Sequence, residues 1–277
     1  MNTWMQTPHT WNEKKWYFLS LFYAREKWAE LISEIMYFYR ERENQFCTCL
    51  ISFSGEKGEH IEVTFASPGN DNNNYSNEIQ THFQTFLDQY PSISRMQFPY
   101  GKAVWCNYPN NSLIWNIFKL KNYSDPYIRF HQQTTDVALK LTDGDFSEDS
   151  VFSLGMYLIT KGLCCIAGKG QKDALSQALH EASVGSPHFV YAAKELINEM
   201  DICEISEALE LYLNENETEY SLEMISWLNE VKILLTFYNY ETFCSFICEI
   251  IGLKGLRQLM ILELMNNWYN TKQNANA

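Results

Sequence analysis

Two pairs of polar residues have types and spacings that could support chemistry. The first is in the segment Gly58-Glu59-His60-Ile61-Glu62, where the imidazole and the second carboxylate lie two residues apart. Because alternate residues of a strand point to the same side, an extended backbone would bring His60 and Glu62 together. The pair could then transfer protons or contribute to a metal site, although either role needs a third group. The alternative is a solvated strand face.

Arg129 and His131 form the second pair, in the segment Tyr127-Ile128-Arg129-Phe130-His131. They also share one face if this segment is extended. An arginine at such a position can bind a carboxylate through two parallel hydrogen bonds, so the pair is a candidate anion site. A surface strand without a ligand is the alternative.

The region from Glu195 to Glu230 has eleven acidic residues and no Lys or Arg. Such a run usually forms the solvated face of helices, and otherwise it docks a basic partner. Glu204 and Glu207 lie within this region and are candidate partner contacts.

Sequence motifs of catalysis are not visible in the chain. It lacks a Gly-x-Ser-x-Gly elbow, an HExxH pair and an assembled Cys/His nucleophile pattern. The cysteine pairs Cys47/Cys49 and Cys244/Cys248 lack the second half of a zinc site, and buried structural cysteines explain them better. We therefore predict neither a metal nor a cofactor.

Composition restricts the partners. The net charge is −13, with 34 acidic and 21 basic residues and no basic stripe, so we predict no nucleic-acid partner. The most apolar stretch, 233–251, is interrupted by Asn239 and Glu241, and we predict no membrane partner. The N-terminus does not have the pattern of a signal peptide, and eight cysteines in 277 residues do not indicate a disulfide scaffold. These features predict a cytoplasmic protein.

Hydrophobic periodicity predicts the elements that position these residues. Strands are predicted at 15–23, 46–53, 60–65, 96–98, 103–106 and 113–120, and helices at 26–42 and 79–87. This order is the βαββαβ pattern of a ferredoxin-like sandwich. Further helices are predicted at 146–163, 172–182, 188–200, 203–213, 221–238, 241–251 and 256–269. The expected fold is α+β, with a ferredoxin-like region at 1–145, an all-helical region at 146–270 and a disordered tail at 271–277.

The layout resembles a known family. A strand beginning with Trp16, a helix, and a hairpin ending in Gly58-x-His60-Ile61 are similar to the thiopeptide-type bacteriocin biosynthesis domain. That domain is also the C-terminal elimination domain of class I lanthipeptide dehydratases. The resemblance covers roughly residues 14 to 270. It implies a role in the biosynthesis of ribosomally made peptide natural products (RiPPs).

Later elements of the family have counterparts in the chain. Arg129-Phe130 and Asp149-Ser150 follow in the order of the family's Arg-Tyr-Gly-Gly and Asp-Ser elements, although His131 stands where the Gly-Gly begins. In the family, basic residues on the hairpin contact glutamyl adducts or tRNA-derived groups during elimination of glutamate from glutamylated Ser or Thr.

The hairpin of this chain departs from that pattern. Ser52, Glu62 and Thr64 replace the basic residues of the family. A glutamate in place of an arginine reverses the charge that is offered to a carboxylate, and repulsion disfavours its binding. The inherited elimination chemistry is therefore not expected, although His60 is retained.

These features favour a non-catalytic RiPP biosynthesis protein. It would bind the precursor peptide, a neighbouring modifying enzyme such as a multinuclear iron oxidase, or both. The candidate contacts are His60, Glu62, Arg129, His131, Glu204 and Glu207. The alternative is an active lyase, or a related tRNA-dependent tailoring enzyme, with His60, Arg129 and His131 as its acid–base and anion-binding groups. A third possibility is an unrelated α+β protein.

Overall fold

The computed structural model divides the chain into two compact units. The first comprises Met1–Ile128 and Asp143–Ser147, and the second comprises Arg129–Thr142 and Glu148–Ala277. The residues described are 8–55, 57–69, 73–93, 108–118, 120, 122–168, 170–185, 187–216, 218, 220–253 and 255–275. The predicted boundary at residue 145 stays a prediction.

Within the described residues of the first unit, five strands form one antiparallel sheet. Their bounds are His9–Trp11 (β1), Lys14–Phe22 (β2), Thr48–Ser54 (β3), His60–Pro68 (β4) and Ser112–Trp115 (β5). β4 lies between β2 and β3, and both β1 and β5 pair with β2. The order β5-β2-β4-β3 is that of a ferredoxin-like sheet, so the predicted fold class is confirmed.

Two helices pack on one face of this sheet because alternate strand residues are large and apolar. They are Trp28–Arg40 (α1) and Ser76–Gln89 (α2). The ring of Phe65 on β4 lies 5.3 Å from the ring of Phe38 on α1 and 6.2 Å from that of Phe83 on α2. Residues of β4 with the opposite parity, among them His60 and Glu62, therefore point away from these helices.

The strand predicted at 113–120 is shorter than its apolar pattern suggests. β5 ends at Trp115 rather than near residue 120, because Asn116 has a φ of 57°, in the left-handed region that ends an extended run. The predicted strands at 96–98 and 103–106 lie outside the described residues.

The expectation of an extended segment at Arg129 and His131 is wrong. The chain from Asp125 to Thr142 forms one helix (α3). Its start signal is the sequence Ser124-Asp125-Pro126, since Ser124 accepts a hydrogen bond from the Tyr127 amide and proline is tolerated in the first turn.

The second unit has helices only, within the part of it that the structure describes, which confirms the predicted helical half. After the end of α3 they are Glu148–Cys164 (α4), Gly170–Gly185 (α5), Pro187–Asn198 (α6), Ile202–Asn214 (α7), Leu222–Leu234 (α8), Tyr240–Ile251 (α9) and Leu256–Ala275 (α10). The last helix thus extends into the segment 271–277, for which a disordered tail is expected, and the final two residues lie outside the described part. No helix in the described ranges combines the length and the apolar character that a membrane crossing requires.

Buried aromatic residues form the core of the second unit. The fully buried Trp227 of α8 lies near the rings of Phe130 and Phe243, with 6.5 Å between ring centroids in each pair. Its indole Nε1 donates to Thr134 Oγ1 at 2.9 Å, which satisfies its one polar group. Gly162 of α4 lies against Phe243, where an added Cβ would be 2.2 Å from the ring.

Candidate functional site

The imidazole of His60 lies between two aromatic rings in the first unit. His60 is the first residue of β4, and its Cα partners are Phe22 on β2 and Ser54 on β3. The ring stacks on Phe22 with 4.5 Å between centroids and on Phe118 with 4.9 Å. His60 is completely buried as a result.

The hydrogen bonds of His60 determine its tautomer. Nδ1 lies 2.8 Å from the carbonyl oxygen of Gly58, and because a carbonyl can only accept, Nδ1 must carry the proton. In the neutral form of the ring, Nε2 is then an acceptor. It has no hydrogen-bond partner among the described residues, and it lies 3.6 Å from Glu62 Oε1. The predicted closeness of His60 and Glu62 is therefore observed.

Small hydroxyl groups surround this pair on the same face of the sheet. Ser20 on β2, Glu62 on β4 and Ser52 on β3 are Cα partners in one row across three strands. Both serines are buried. On this face of β2 the basic residue is Lys14, at the opposite end of the strand from Phe22, the Cα partner of His60. The eight residue steps between Lys14 and Phe22 correspond to about 26 Å. No cation of these three strands lies near His60.

Arg129 and His131 do not form the pair that the sequence suggests. Residues two apart on an α-helix are turned by about 200°, so α3 directs these side chains to different sides. The Arg129 side chain is half-exposed and pairs with Glu230, with Nε 3.2 Å from Oε2. His131 is 1% exposed. Both belong to the second unit, whereas His60 and Glu62 belong to the first.

Glu204 and Glu207 lie on the exposed side of α7. Asp201 caps this helix by accepting from the amides of Cys203 and Glu204. Neither Glu204 nor Glu207 forms an ion pair with any residue that the structure describes. Their role as partner contacts stays a prediction.

A cluster around Lys161 in the second unit was not singled out in the sequence. The Lys161 side chain is 2% exposed, and its Nζ lies 2.8 Å from Glu215 Oε2. Nζ also lies 2.5 Å from both the carbonyl oxygen of Tyr212 and the hydroxyl of Tyr220. The Tyr157 hydroxyl donates to the same Oε2 atom of Glu215 at 2.9 Å. The ammonium group is thus enclosed by acceptors and by the rings of Tyr157 and Tyr220.

Burial and the neighbouring Glu215 carboxylate shift the pKa values of the groups in this cluster. Burial lowers the pKa of Lys161, but its hydrogen bonds to Glu215 and Tyr220 outweigh this effect, and the net shift of the pKa is upward. Burial, and then the hydrogen bond to Glu215, raise the pKa of Tyr157 well above its ordinary value. Burial and the charge of Glu215 also raise the pKa of Tyr212. Near neutral pH the cluster therefore contains charged Lys161 and neutral Tyr157 and Tyr212.

Two adjoining clefts open beside this cluster and share the wall formed by Tyr157, Tyr212 and Glu215. The first has a volume of about 480 Å³ and is lined in addition by Leu141, Thr142, Asp149, Ser150, Ser153 and Leu154. The second has a volume of about 510 Å³ and is lined in addition by Glu210, Leu211, Asn214 and Asn216. Within the described part of the chain, no group of three or more His, Cys, Asp or Glu residues is arranged to hold a metal ion.

Part of this cluster could have been found in the sequence. Lys161 follows the apolar run Met156-Tyr157-Leu158-Ile159, and a lysine within a buried helix face needs an acidic partner. The identity of that partner, Glu215, is not evident because more than fifty residues separate the two.

Comparison with known proteins identifies a similar fold. No protein-family model matches the sequence, and no curated protein matches it. A solved structure of the pyridine synthase TbtD from thiomuracin biosynthesis aligns with 92% of this chain and 98% of its own, with a TM-score of 0.63 and 12% sequence identity. At this identity the likeness shows the fold alone, and membership of the elimination-domain family stays a prediction. The chain therefore has the fold of a thiomuracin pyridine synthase.

Proposed function

We propose that this chain is a cytoplasmic RiPP biosynthesis protein that binds the precursor peptide, a partner modifying enzyme, or both, without elimination activity of its own. The observation that carries the proposal is the likeness in fold to a pyridine synthase from thiomuracin biosynthesis, which extends over nearly the whole of both chains. A multinuclear iron oxidase is one such partner enzyme. Neither nucleic acid nor a membrane is part of the proposal.

The surroundings of His60 support binding rather than elimination. The ring is enclosed by Phe22 and Phe118, so a substrate in solution does not reach Nε2 in this arrangement. The neighbouring charge is the carboxylate of Glu62, which repels a glutamyl carboxylate. Among the described residues of β2, β3 and β4, the cation on this strand face is Lys14, which is too distant to compensate.

Co-expression tests this proposal. The tagged chain is expressed with the precursor peptide and with each neighbouring enzyme, and the purified complexes are analysed by intact mass. We expect stoichiometric co-purification of peptide or enzyme, and a change in peptide mass only when the other enzyme is present. Absence of both partners from the purified chain would contradict the proposal.

An active lyase is the second candidate, and one observation favours it. Nε2 of His60 is an unpartnered acceptor beside Glu62, which is a suitable arrangement for a group that takes up a proton. Incubation of the purified chain with a peptide containing glutamylated serine provides the test. Release of glutamate and formation of dehydroalanine by the chain alone would establish the lyase, and an unchanged peptide mass would remove it.

A further inference from the structure

We propose that the paired clefts beside Lys161 bind a basic side chain of a peptide, with an apolar residue next to it. This inference deepens the proposed peptide-binding function and rests on it for the identity of the natural ligand. It names a site in the second unit that is separate from the strand face around His60.

The first wall of the site is one face of α4. Asp149, Ser153 and Tyr157 are four residues apart, so they form a row along the helix that ends at the ring of Tyr157. The side chain of Asp149 is exposed and forms no hydrogen bond or ion pair with another described residue. Its carboxylate is therefore available to a ligand.

The opposite wall is the C-terminal end of α7. Carbonyl groups at the end of a helix attract cations, and the Tyr212 carbonyl already accepts a hydrogen bond from the Lys161 ammonium group. Glu215 uses only Oε2 for Lys161 and Tyr157. Its Oε1 has no hydrogen-bond partner in the described part of the chain, and the side chain is 33% exposed.

The contacts of Lys161 show which groups bind a cation at this position. Lys161 is held by a carboxylate, a carbonyl, a hydroxyl and two tyrosine rings, with Nζ 5.5 Å from the ring of Tyr157 and 4.8 Å from that of Tyr220. On the cleft side, Tyr157 and Tyr212 form an edge-on aromatic pair with 5.0 Å between centroids. A second cation at that pair would find the free oxygen of Glu215. The carboxylate of Asp149 lies eight residues away on the same face of α4, about 12 Å along the helix axis, in the same cleft.

The lining favours a peptide with both basic and apolar residues. Leu211 and Leu141 are 70% and 50% exposed, and each lines one of the two clefts. Glu210 forms an exposed ion pair with Lys272. Such a pair contributes little stability, so a basic group of a ligand can take the place of Lys272. Among the described residues that line the clefts, the charged ones are Asp149, Glu210 and Glu215, and all three are acidic.

Fluorescence anisotropy of the full chain tests the site. The probes are a short fluorescein-labelled peptide of alternating lysine and leucine and a counterpart of equal length with glutamate in place of lysine. We expect the lysine peptide to bind more tightly. Asp149→Asn and Leu211→Ser should each raise its Kd about threefold to fivefold, the size expected for one exposed contact.

The matched control is Asp173→Asn, at an exposed residue in the first turn of α5. It changes the net charge of the protein by the same amount as Asp149→Asn, and Asp173 does not line either cleft. We expect this variant to bind as the unmodified chain does. Equal effects of Asp149→Asn and Asp173→Asn would show a general charge attraction and would overturn the site. Cleft variants that alter the oligomeric state instead of peptide binding would overturn it in favour of a second copy of this chain.

Failure of the site and failure of the proposed function give different results. If the precursor co-purifies with the double variant Asp149→Asn/Leu211→Ser as well as with the unmodified chain, peptide binding stands and the cleft is not its site. If the precursor does not co-purify but the lysine peptide shows the expected pattern of variants, the cleft binds basic peptides and the proposed biosynthetic role is wrong.

Discussion

Lys161 and Glu215 form an ion pair in the second unit, with 2.8 Å between Nζ and Oε2 and with 2% of the lysine and 33% of the glutamate side chain exposed. Burial of the lysine charge is costly, and its remaining hydrogen-bonding capacity must be satisfied for the pair to persist. Here Tyr212, Tyr220 and Tyr157 supply the additional partners. The pair therefore fixes the orientation of the carboxylate and the ring that the two clefts share.

Removal of Lys161 should be strongly destabilising. The Lys161→Met variant leaves Glu215 without its cation, and we expect the free energy of unfolding to fall by about 2–4 kcal/mol. Urea denaturation measures this change. The control is Lys140→Met, which removes an exposed pair with Glu223 and should cost less than about 1 kcal/mol. The double variant Lys161→Met/Glu215→Leu should recover part of the loss, and equal losses for both single lysine variants would contradict the interpretation.

Alkaline pH should reduce stability through the same cluster. Folding raises the pKa of Tyr157, by burial first and then by the hydrogen bond to Glu215, and it raises the net pKa of Lys161. The folded state consequently holds more protons than the unfolded state above about pH 10, so stability is full below that pH and falls as pH rises.

The comparison of two tyrosine variants isolates this effect. Unfolding by urea at a series of pH values from neutral to strongly alkaline should show a shallower loss of stability for Tyr157→Phe than for the unmodified chain. Tyr191→Phe, at a residue that is 73% exposed, should keep the original slope. Identical slopes for all three proteins would show that Tyr157 does not contribute.

Local patterns predicted the fold well because they depend on neighbours along the chain. The alternation of Ile61, Val63 and Phe65 predicts one buried strand face, and the structure has these residues buried. The same alternation places His60 and Glu62 together on the other face, as observed. The pattern does not reveal that both sides of the sheet at His60 are covered, since burial depends on residues distant in sequence.

The helix at Arg129 and the cluster at Lys161 show where such patterns are insufficient. The aromatic segment around Arg129 is compatible with a strand, and the cap at Ser124 together with Pro126 decides for a helix. Lys161 and Glu215 meet through the packing of α4 against the end of α7, which no local periodicity encodes.

Close packing at Gly162 should make even a methyl group costly. An added Cβ would lie 2.2 Å from the ring of Phe243, which is fully buried, so the ring or the helix must shift. We expect Gly162→Ala to lower the free energy of unfolding by about 1–3 kcal/mol, measured by urea denaturation. Gly185→Ala is the control, because no atom lies within 4 Å of its added Cβ. A neutral or stabilising result at Gly162 would show that the contact between α4 and Phe243 is loose.

Replacement of His60 by phenylalanine separates a structural role from a catalytic one. The variant keeps the stack on Phe22 and Phe118 but loses the hydrogen bond to the Gly58 carbonyl, so we expect a loss of stability of about 1 kcal/mol. For a binding protein, His60→Phe should co-purify with the precursor peptide or partner enzyme as the unmodified chain does.

Release of glutamate distinguishes a catalytic His60 from a structural one, because peptide binding alone does not require proton transfer by Nε2. If the unmodified chain releases glutamate from a glutamylated peptide and His60→Phe does not, while both bind the peptide equally, Nε2 takes part in the reaction. That result would favour the lyase and would require Phe118 to leave the ring of His60 during turnover, because the stacked arrangement closes access to Nε2. Equal behaviour of both proteins in binding, with no release of glutamate by either, is the result that we expect.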